Sequence, residues 1–499
     1  MDGVHSLWGA LRDDPPEGTD DIVAGATTVL VTVRYRSQRR AAAARIRSLL
    51  GRTDANRAQM GHTVIPVVYD GPDLEDLAVT AGVAPADVVR LHSGATYTVA
   101  FLGFSPGFAY LSGVPTGLHV PRLDTPRTAV PAGSVAVAAG MTAVYPQPTP
   151  GGWRLIGRTD LAMFDPGRPE PSLLRPGHRV RFRPVADLGP AVPPPPPPAF
   201  PARAGEAYLL VVDAGPLTTI QDLGRPGWAH LGVPCAGAAD RSAAAEANRL
   251  VGNPPGAAVL ESTLAGPVLR MGATRLVAVT GAGAEIRVDG MPAHRGAPLG
   301  LGRGAELVID RFRSGARCYV AVEGGIAVPP VLGSRSTDTL SGLGPAPLRP
   351  GDRIPLGDPD PGPRVRPGGS LLEPPGVGEM AVTAHPGPRA DWVGPDGLRT
   401  LGTGRFVVAA SSDRTGLRLQ GPRVAVAGPG QLPSEGMVAG AVQVPPDGQP
   451  IVLLRNHPTT GGYPVAAVVA DADVDLLSQA RPGSVVRFRL RPPDAADAG

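Results

Sequence analysis

Glycine and proline punctuate this chain so densely, at 67 and 60 of 499 residues and with no collagen period, that short strands joined by tight turns are what it favours. The runs between the breaks are rich in valine, a residue suited to half-buried strands. Hydrophobic residues make up 42% and charged residues 18%, which rules out a disordered acidic chain and a coiled coil and leaves enough apolar surface for several cores. At roughly 100–200 residues per domain, such a length predicts about three or four domains.

Residues 1–88 mix both kinds of element. Strands run from Val29 to Tyr35 and from Val64 to Tyr69, and helices from Arg39 to Leu50 and from Leu74 to Ala81. Beyond residue 88 the pattern turns to strands, among them Thr96 to Leu102, Val135 to Ala138, Leu276 to Thr280, Cys318 to Val322 and Val485 to Arg489. In the second unit, after the proline run at 193–198, helical periodicity is convincing only from Asp240 to Val251, with Asp240 as N-cap, and from Val474 to Ala480.

Three elements recur in one order. RPGHRVRFR begins at Arg175 and RPGSVVRFR at Arg481, identical at seven of nine positions, with a weaker RPGDRI at Arg349. Upstream of the two good copies stand Gly151-Gly152-Trp153 and Gly461-Gly462-Tyr463, and before those AGSVAV from Ala132 and AGAVQV from Ala439. An ordered set of this kind points to a repeated β module that closes with a turn and a final strand. The six prolines from Pro193 to Pro198 form a stiff spacer that cannot join a sheet. The expected architecture is mainly β with α+β parts: a mixed α/β lobe (1–88), a β-barrel (89–187), a proline-rich linker (188–206) and two further β-barrels (207–360 and 361–491).

All 47 basic residues are arginine. The absence of lysine excludes a P-loop lysine, a Schiff-base lysine and a biotin attached to this chain. A net charge of +3 with no basic cluster interleaved with aromatics argues against nucleic acid as a partner. Two cysteines, Cys235 and Cys318, make neither a disulfide framework nor a zinc site, and no metal-ligand cluster is evident. The start of the chain lacks the pattern of a signal peptide, and the long uncharged stretch from Thr128 to Trp153 is broken by prolines. A cytoplasmic protein without membrane contact is the expectation.

Two loops have the composition of binding sites. FLGFSPGFAYL, from Phe101, sets glycine and proline among aromatics, so that backbone amides approach a ligand that rings enclose; a tight turn between core strands has the same composition. QDLGRPGWAH, from Gln221, places a carboxylate, a guanidinium and an imidazole in ten residues of glycine-rich loop, a set suited to an anion. LPSEG from Leu432 and RNHPTTGGY from Arg455 are similar polar loops.

The first unit resembles the allophanate hydrolase subunit 1 family, also known as the B-type subunits of 5-oxoprolinase, through LHSGATYTVAFLGFSPGFAYLSGVP, VPRLDTPRTAVPAGSVAVA, PGGWRLIGRT and RPGHRVRF. The second is similar to allophanate hydrolase subunit 2, or the C-type subunits of 5-oxoprolinase, through TIQDLGRPGWAHLGVP, ANRLVGNP, VEGGIAVPPVLGSRST, SDRTGLRLQGP, LPSEGMVAGAVQVPPDGQPIVLL and TTGGYP. The resemblance implies cyclophilin-like barrels and two usually separate subunits fused in one chain. It also implies ATP-dependent opening of 5-oxoproline to glutamate, together with a separate A-type 5-oxoprolinase subunit, on a small lactam or amide substrate. Two alternatives stay open: the carboxyltransferase part of a biotin-dependent urea carboxylase, whose biotin carrier must be another chain, and a regulatory protein that binds a histidine kinase.

Carried onto this sequence, the resemblance marks His92, Arg225, His230 and Glu435 as catalytic. It marks Ser93, Phe104, Gly107, Arg158, Thr159, Gln221, Asp222, Asp240, Glu261, Ser434, Gln443, Thr460 and Tyr463 as substrate-binding. His92 suits a general base by its ordinary pKa and equally suits a structural hydrogen-bonder; helix capping already accounts for Asp240. The chain departs from the family's usual pattern in three ways. It starts too late for an expected first strand, it reads AGAAD at 236–240 where a serine and a methionine are common, and it has Asn456 where aspartate is common.

Overall fold

A computed structural model describes residues 2–50, 61–188, 207–359, 378–428 and 432–492. All but the first residue of the expected linker lies outside these. Among the described residues, no helix is long and apolar enough to cross a membrane.

The repeat corresponds to one turn used three times. In Arg175–His178, Arg349–Asp352 and Arg481–Ser484 the fourth N–H donates to the first carbonyl at 3.0, 3.1 and 3.0 Å. The glycines, Gly177, Gly351 and Gly483, have φ of 86°, 95° and 88°. Proline at the second position and a left-handed third make a type II turn, which only glycine enters without strain. After the two strong copies the chain runs into Arg179–Pro184 and Val485–Leu490. Each of these strands lies parallel to the first strand of its own sheet, His62–Val67 or Glu379–Pro386, and antiparallel to the second, Tyr97–Leu102 or Phe406–Val408.

The two sheets have the same seven-strand order. The later one is a closed barrel. The earlier one is nearly closed by a single bridge between Val68 and Arg158. Each carries a small two-stranded flap in the same place: Arg127–Val130 with Thr149–Gly151, and Glu435–Gly436 with Thr460–Gly461. Alternation along the final strands sends Val180 and Phe182, and Val486 and Phe488, into the cores and leaves the arginines between them outside.

The middle region is not a third copy. It consists of a six-stranded and a five-stranded sheet around a shared core that includes Leu209, Leu260, Leu269, Val279 and Val320. Its last strand, Arg353–Pro355, runs antiparallel to its first, Tyr208–Asp213, where the barrels have a parallel pair. The expectation of three like barrels is therefore corrected to two barrels and a two-sheet body.

The amino-terminal lobe is also smaller than expected. Helices Asp2–Asp13 and Arg39–Leu49 and the hairpin Thr19–Ala24/Val29–Val33 share a core of Leu11, Ile22 and Leu49. His62–Val67, Leu74–Ala81 and Pro85–Gly94 instead pack into the first barrel's core through Ile65, Leu77 and Val88, so a boundary at residue 88 would cut one core. In the second barrel, helix Ala390–Thr403 was not expected, because it contains Gly394 and Pro395. The chain accommodates both by breaking at Gly394, with φ 63°, and restarting the helix at proline, which tolerates a first-turn position.

Candidate functional site

Loops from both units meet against the lobe. Gly103, in the first barrel, packs so closely on the second barrel that a Cβ there would run into Thr460 Oγ1. Gly107 N donates to Leu231 O at 2.8 Å, which ties the aromatic loop to the 3-10 turn Ala229–Leu231. In that loop Phe104 takes a left-handed φ of 65° and packs on Phe108 at 5.4 Å. The lobe fills the third side: Ala26 N donates to Ser434 O at 2.8 Å, and the Asp21 carboxylate accepts from Ala229 N at 2.9 Å. His230 lies between Trp8 of the lobe and Trp228, each 6.4 Å away by ring centre, and burial holds its pKa at about 3. The same cause lifts Asp21 to about 6.

Glu435, on the flap, is buried and holds a two-pronged ion pair with Arg389. Gln443 steadies the same flap by donating to Tyr463 O at 3.3 Å, while the Tyr463 ring is 45% exposed and free to meet a ligand. Two hydroxyls in these loops, Ser105 Oγ and Thr459 Oγ1, are buried without a hydrogen-bond partner among the described residues. An unmade hydrogen bond of this kind costs about 1–3 kcal/mol, so both are ready acceptors or donors for something bound at the junction.

The other candidates of the second unit form a buried polar network between the middle region and the second barrel. Glu261 accepts from Ala239 N and Tyr319 Oη at 2.9 Å each and pairs with Arg414, with Arg317 Nε at 3.6 Å. Arg414 reaches Gly237 O at 2.6 Å and Asn456 Oδ1 at 3.3 Å, and the Asn456 amide donates to Asp338 at 3.0 Å. Asp240 caps its helix through Ala243 N at 2.9 Å, as expected, and also accepts from Gln479 at 2.8 Å. Asn456 thus links a carboxylate to a guanidinium, which a second carboxylate at that position would do only at the cost of repulsion from Asp338.

Gln221 and Arg225 are buried where the chain 331–338 crosses the loop. Gln221 donates to Thr337 O at 3.0 Å, and Arg225 donates to Ser336 O and, at 3.4 Å, to Val331 O. Asp222 accepts from Ser334, Ser336, Gly224 N and Arg335 N. Such contacts organise a loop.

Four candidates stay apart from the junction. His92 is fully buried in the first barrel, with Tyr69 Oη at 2.8 Å on Nδ1 and Thr142 Oγ1 at 2.9 Å on Nε2. Burial lowers its pKa to about 3, so both geometry and protonation suit the structural reading over the general base. Ser93 bonds back to Val89 O within its helix, Thr159 N donates to Gly133 O, and Arg158 pairs with Asp70 at 2.8 Å on the exposed side.

The burial of His92 has a pH consequence. Its pKa falls from 6.5 unfolded to about 3 folded, so the unfolded chain binds the extra proton between those values. Stability from this residue is complete above about pH 6.5 and is lost as pH falls toward 3, by about 1.4 kcal/mol per pH unit. Replacing His92 by glutamine should flatten the rise of urea midpoint with pH between 4 and 6.5; an unchanged slope would show that the buried imidazole is not its source.

Asp21, Arg317, Asp338, Arg389, Arg414 and Gln479 were not singled out from the sequence. Arg414 had a signal, since it sits in the SDRTGLRLQGP run, but nothing in the residues around it announces burial. Among the described residues no group of three or more His, Cys, Asp or Glu is placed to hold a metal ion.

Comparison with known proteins accounts for this two-unit arrangement. The family described as carboxyltransferase domain, subdomain C and D, matches residues 1–174, and that described as subdomain A and B matches 231–490. The chain is 37% identical to the 5-oxoprolinase C subunit of Escherichia coli over 287 residues, covering 56% of this chain and 90% of the relative. It is 39% identical to the 5-oxoprolinase B subunit of Haemophilus influenzae over 182 residues, covering 36% of this chain and 85% of the relative. The crystal structure of TTHA0988 matches with a TM-score of 0.87 at 38% identity, over 98% of this chain and 96% of that one. The chain belongs to the carboxyltransferase-domain family and fuses, in one polypeptide, counterparts of the B and C subunits of 5-oxoprolinase.

Proposed function

We propose that this chain is the fused B/C component of an ATP-dependent 5-oxoprolinase, opening the lactam of 5-oxoproline to glutamate together with a separate A-type subunit. The observation that carries this reading is the junction. Counterparts of two subunits, each covering 85% or more of a relative named for that activity, meet through loops that hold buried, unpartnered hydroxyls. Opening a lactam develops oxyanion charge, and loop amides and hydroxyls held in place before reaction suit that task. Ser105, Thr459, Thr460 and the exposed ring of Tyr463 are the groups from which we expect substrate contacts, with the Glu435–Arg389 ion pair beside them.

ATP enters as a co-substrate; one water opens the lactam and a second is taken up in releasing phosphate, so the products are glutamate, ADP and phosphate. The test mixes the full chain with an A-type 5-oxoprolinase homologue, ATP and 5-oxoproline, and measures glutamate and ADP. Equal amounts of both, dependent on all components, are expected. No product there, together with carboxyl transfer to urea from a separate biotinylated carrier, would replace this reading with the carboxyltransferase one that the family's description favours. Binding to a histidine kinase without turnover would favour the regulatory reading.

A further inference from the structure

A groove of about 840 Å³ opens on the second barrel between strand Val485–Leu490 and helix Ala390–Thr403. Its apolar lining is made by Leu398, Leu490, Pro386 and Pro395. The helix packs beside the strand with Gly402 facing Leu490, where a Cβ would make an ordinary contact at 3.4 Å from Leu490 Cδ1. Its charged lining is mostly cationic. Arg399, Arg487, Arg489 and Arg491 line the groove against one carboxylate, Glu379.

These four guanidiniums are not equivalent. Arg399 pairs with Asp396 at 2.6 Å and Arg487 with Glu379 at 3.1 Å. Arg489 and Arg491 are exposed and make no ion pair among the described residues. The alternation that buries Val486 and Phe488 turns Arg487 and Arg489 to the other face of the strand, and at the strand's end residues of both faces reach the groove. The volume lies in the range of small-molecule sites, and unpaired guanidinium forks match phosphate oxygens two at a time.

We propose that this groove binds a nucleoside polyphosphate, its phosphates on Arg489 and Arg491 and its base against Leu398, Leu490 and Pro395. The choice of adenine nucleotide as the first probe rests on the reading above; the cationic and apolar linings do not. The fold supplies its own control. Arg181 and Arg183 occupy the positions of Arg487 and Arg489 on the equivalent strand of the first barrel, and both are exposed.

Isothermal titration of ADP into the full chain, at fixed physiological salt, tests this. Single-site binding is expected, weakened about tenfold or more in the R489E/R491E double variant and within about twofold of wild type in R181E/R183E. Should the charge reversals disturb folding, R489Q/R491Q must show the same loss. No binding of ADP, or binding untouched by either change at Arg489 and Arg491, overturns the proposal and leaves the 5-oxoprolinase reading standing. Equal losses in both double variants would mark mere attraction of polyanions, and displacement of ADP by a tighter single-stranded oligonucleotide would mark a nucleic-acid face; either overturns it. Failure to form glutamate would count against the enzymatic reading alone, because the titration needs no turnover.

Discussion

Replacing Arg414 by leucine should cost about 3–5 kcal/mol of folding stability, the usual penalty for stranding one partner of a buried ion pair. Arg414 and Glu261 are 3% and 1% exposed, and the pair joins the middle region to the second barrel. Burial lowers the arginine's pKa to about 10, which still leaves it charged at neutral pH. Without it, Glu261 keeps two hydrogen-bond donors but only one cation, Arg317 Nε at 3.6 Å, and Gly237 O and Asn456 Oδ1 each lose a donor. Glu261→Gln added to the Arg414→Leu chain should recover part of the loss, since a neutral amide is cheaper to bury than an unpaired carboxylate. Denaturant unfolding measures both. A loss under about 1 kcal/mol in the single variant would show that the network is hydrated in solution and does not hold the two regions together.

The repeat was legible because it rests on local chemistry. Arg-Pro-Gly forms a type II turn in each of the three copies, and the Val-x-Phe alternation after the two strong ones specifies which face is buried. Turn and strand therefore reappear at Arg175 and Arg481 in the same barrel position. At Arg349 the turn forms as well, but the strand after it, Arg353–Pro355, is short and ends at proline. Its partner arrangement is set by long-range pairing that no local pattern records, so extending the analogy to a third barrel failed. Helix Ala390–Thr403 was hidden for the opposite reason: its sequence carries breakers that the backbone accommodates with a single left-handed glycine.

Side-chain roles were less legible than strands, since a polar residue looks the same in a cleft and in a core. Gln221, Arg225, Asp240, Glu261 and His92 were selected as chemistry, and the structure gives each a complete or nearly complete set of internal partners. The aromatic loop and the flap, at Phe104, Gly107, Ser434, Glu435 and Thr460, come together at one junction although they belong to the two halves of the chain, a juxtaposition that no local pattern records. Asp21 escaped notice because its partner, the Ala229 amide, lies some two hundred residues away and belongs to the backbone.

Arg225 separates the two kinds of role most sharply. Its place in the glycine-rich loop suggested substrate chemistry, for which alanine would abolish activity and leave the melting temperature almost unchanged. The structure argues the reverse order of effects. Arg225 is 1% exposed, its guanidinium holds the carbonyls of Ser336 and Val331, and its charge is one of those that offset the buried Asp338. Removing it unmakes two charge-assisted hydrogen bonds and leaves Asp338 with less compensation, so Arg225→Ala should cost about 3 kcal/mol, with a clear fall in melting temperature. Lysine at this position cannot reproduce a fork that reaches two carbonyls and should recover less than half of that. Any loss of activity should then follow the loss of folded protein, and assays below the melting transition should retain most of it. A variant that melts as the wild type does yet fails to turn over would return Arg225 to the substrate, with its Nη1, the guanidinium nitrogen buried without a partner among the described residues, as the point of contact.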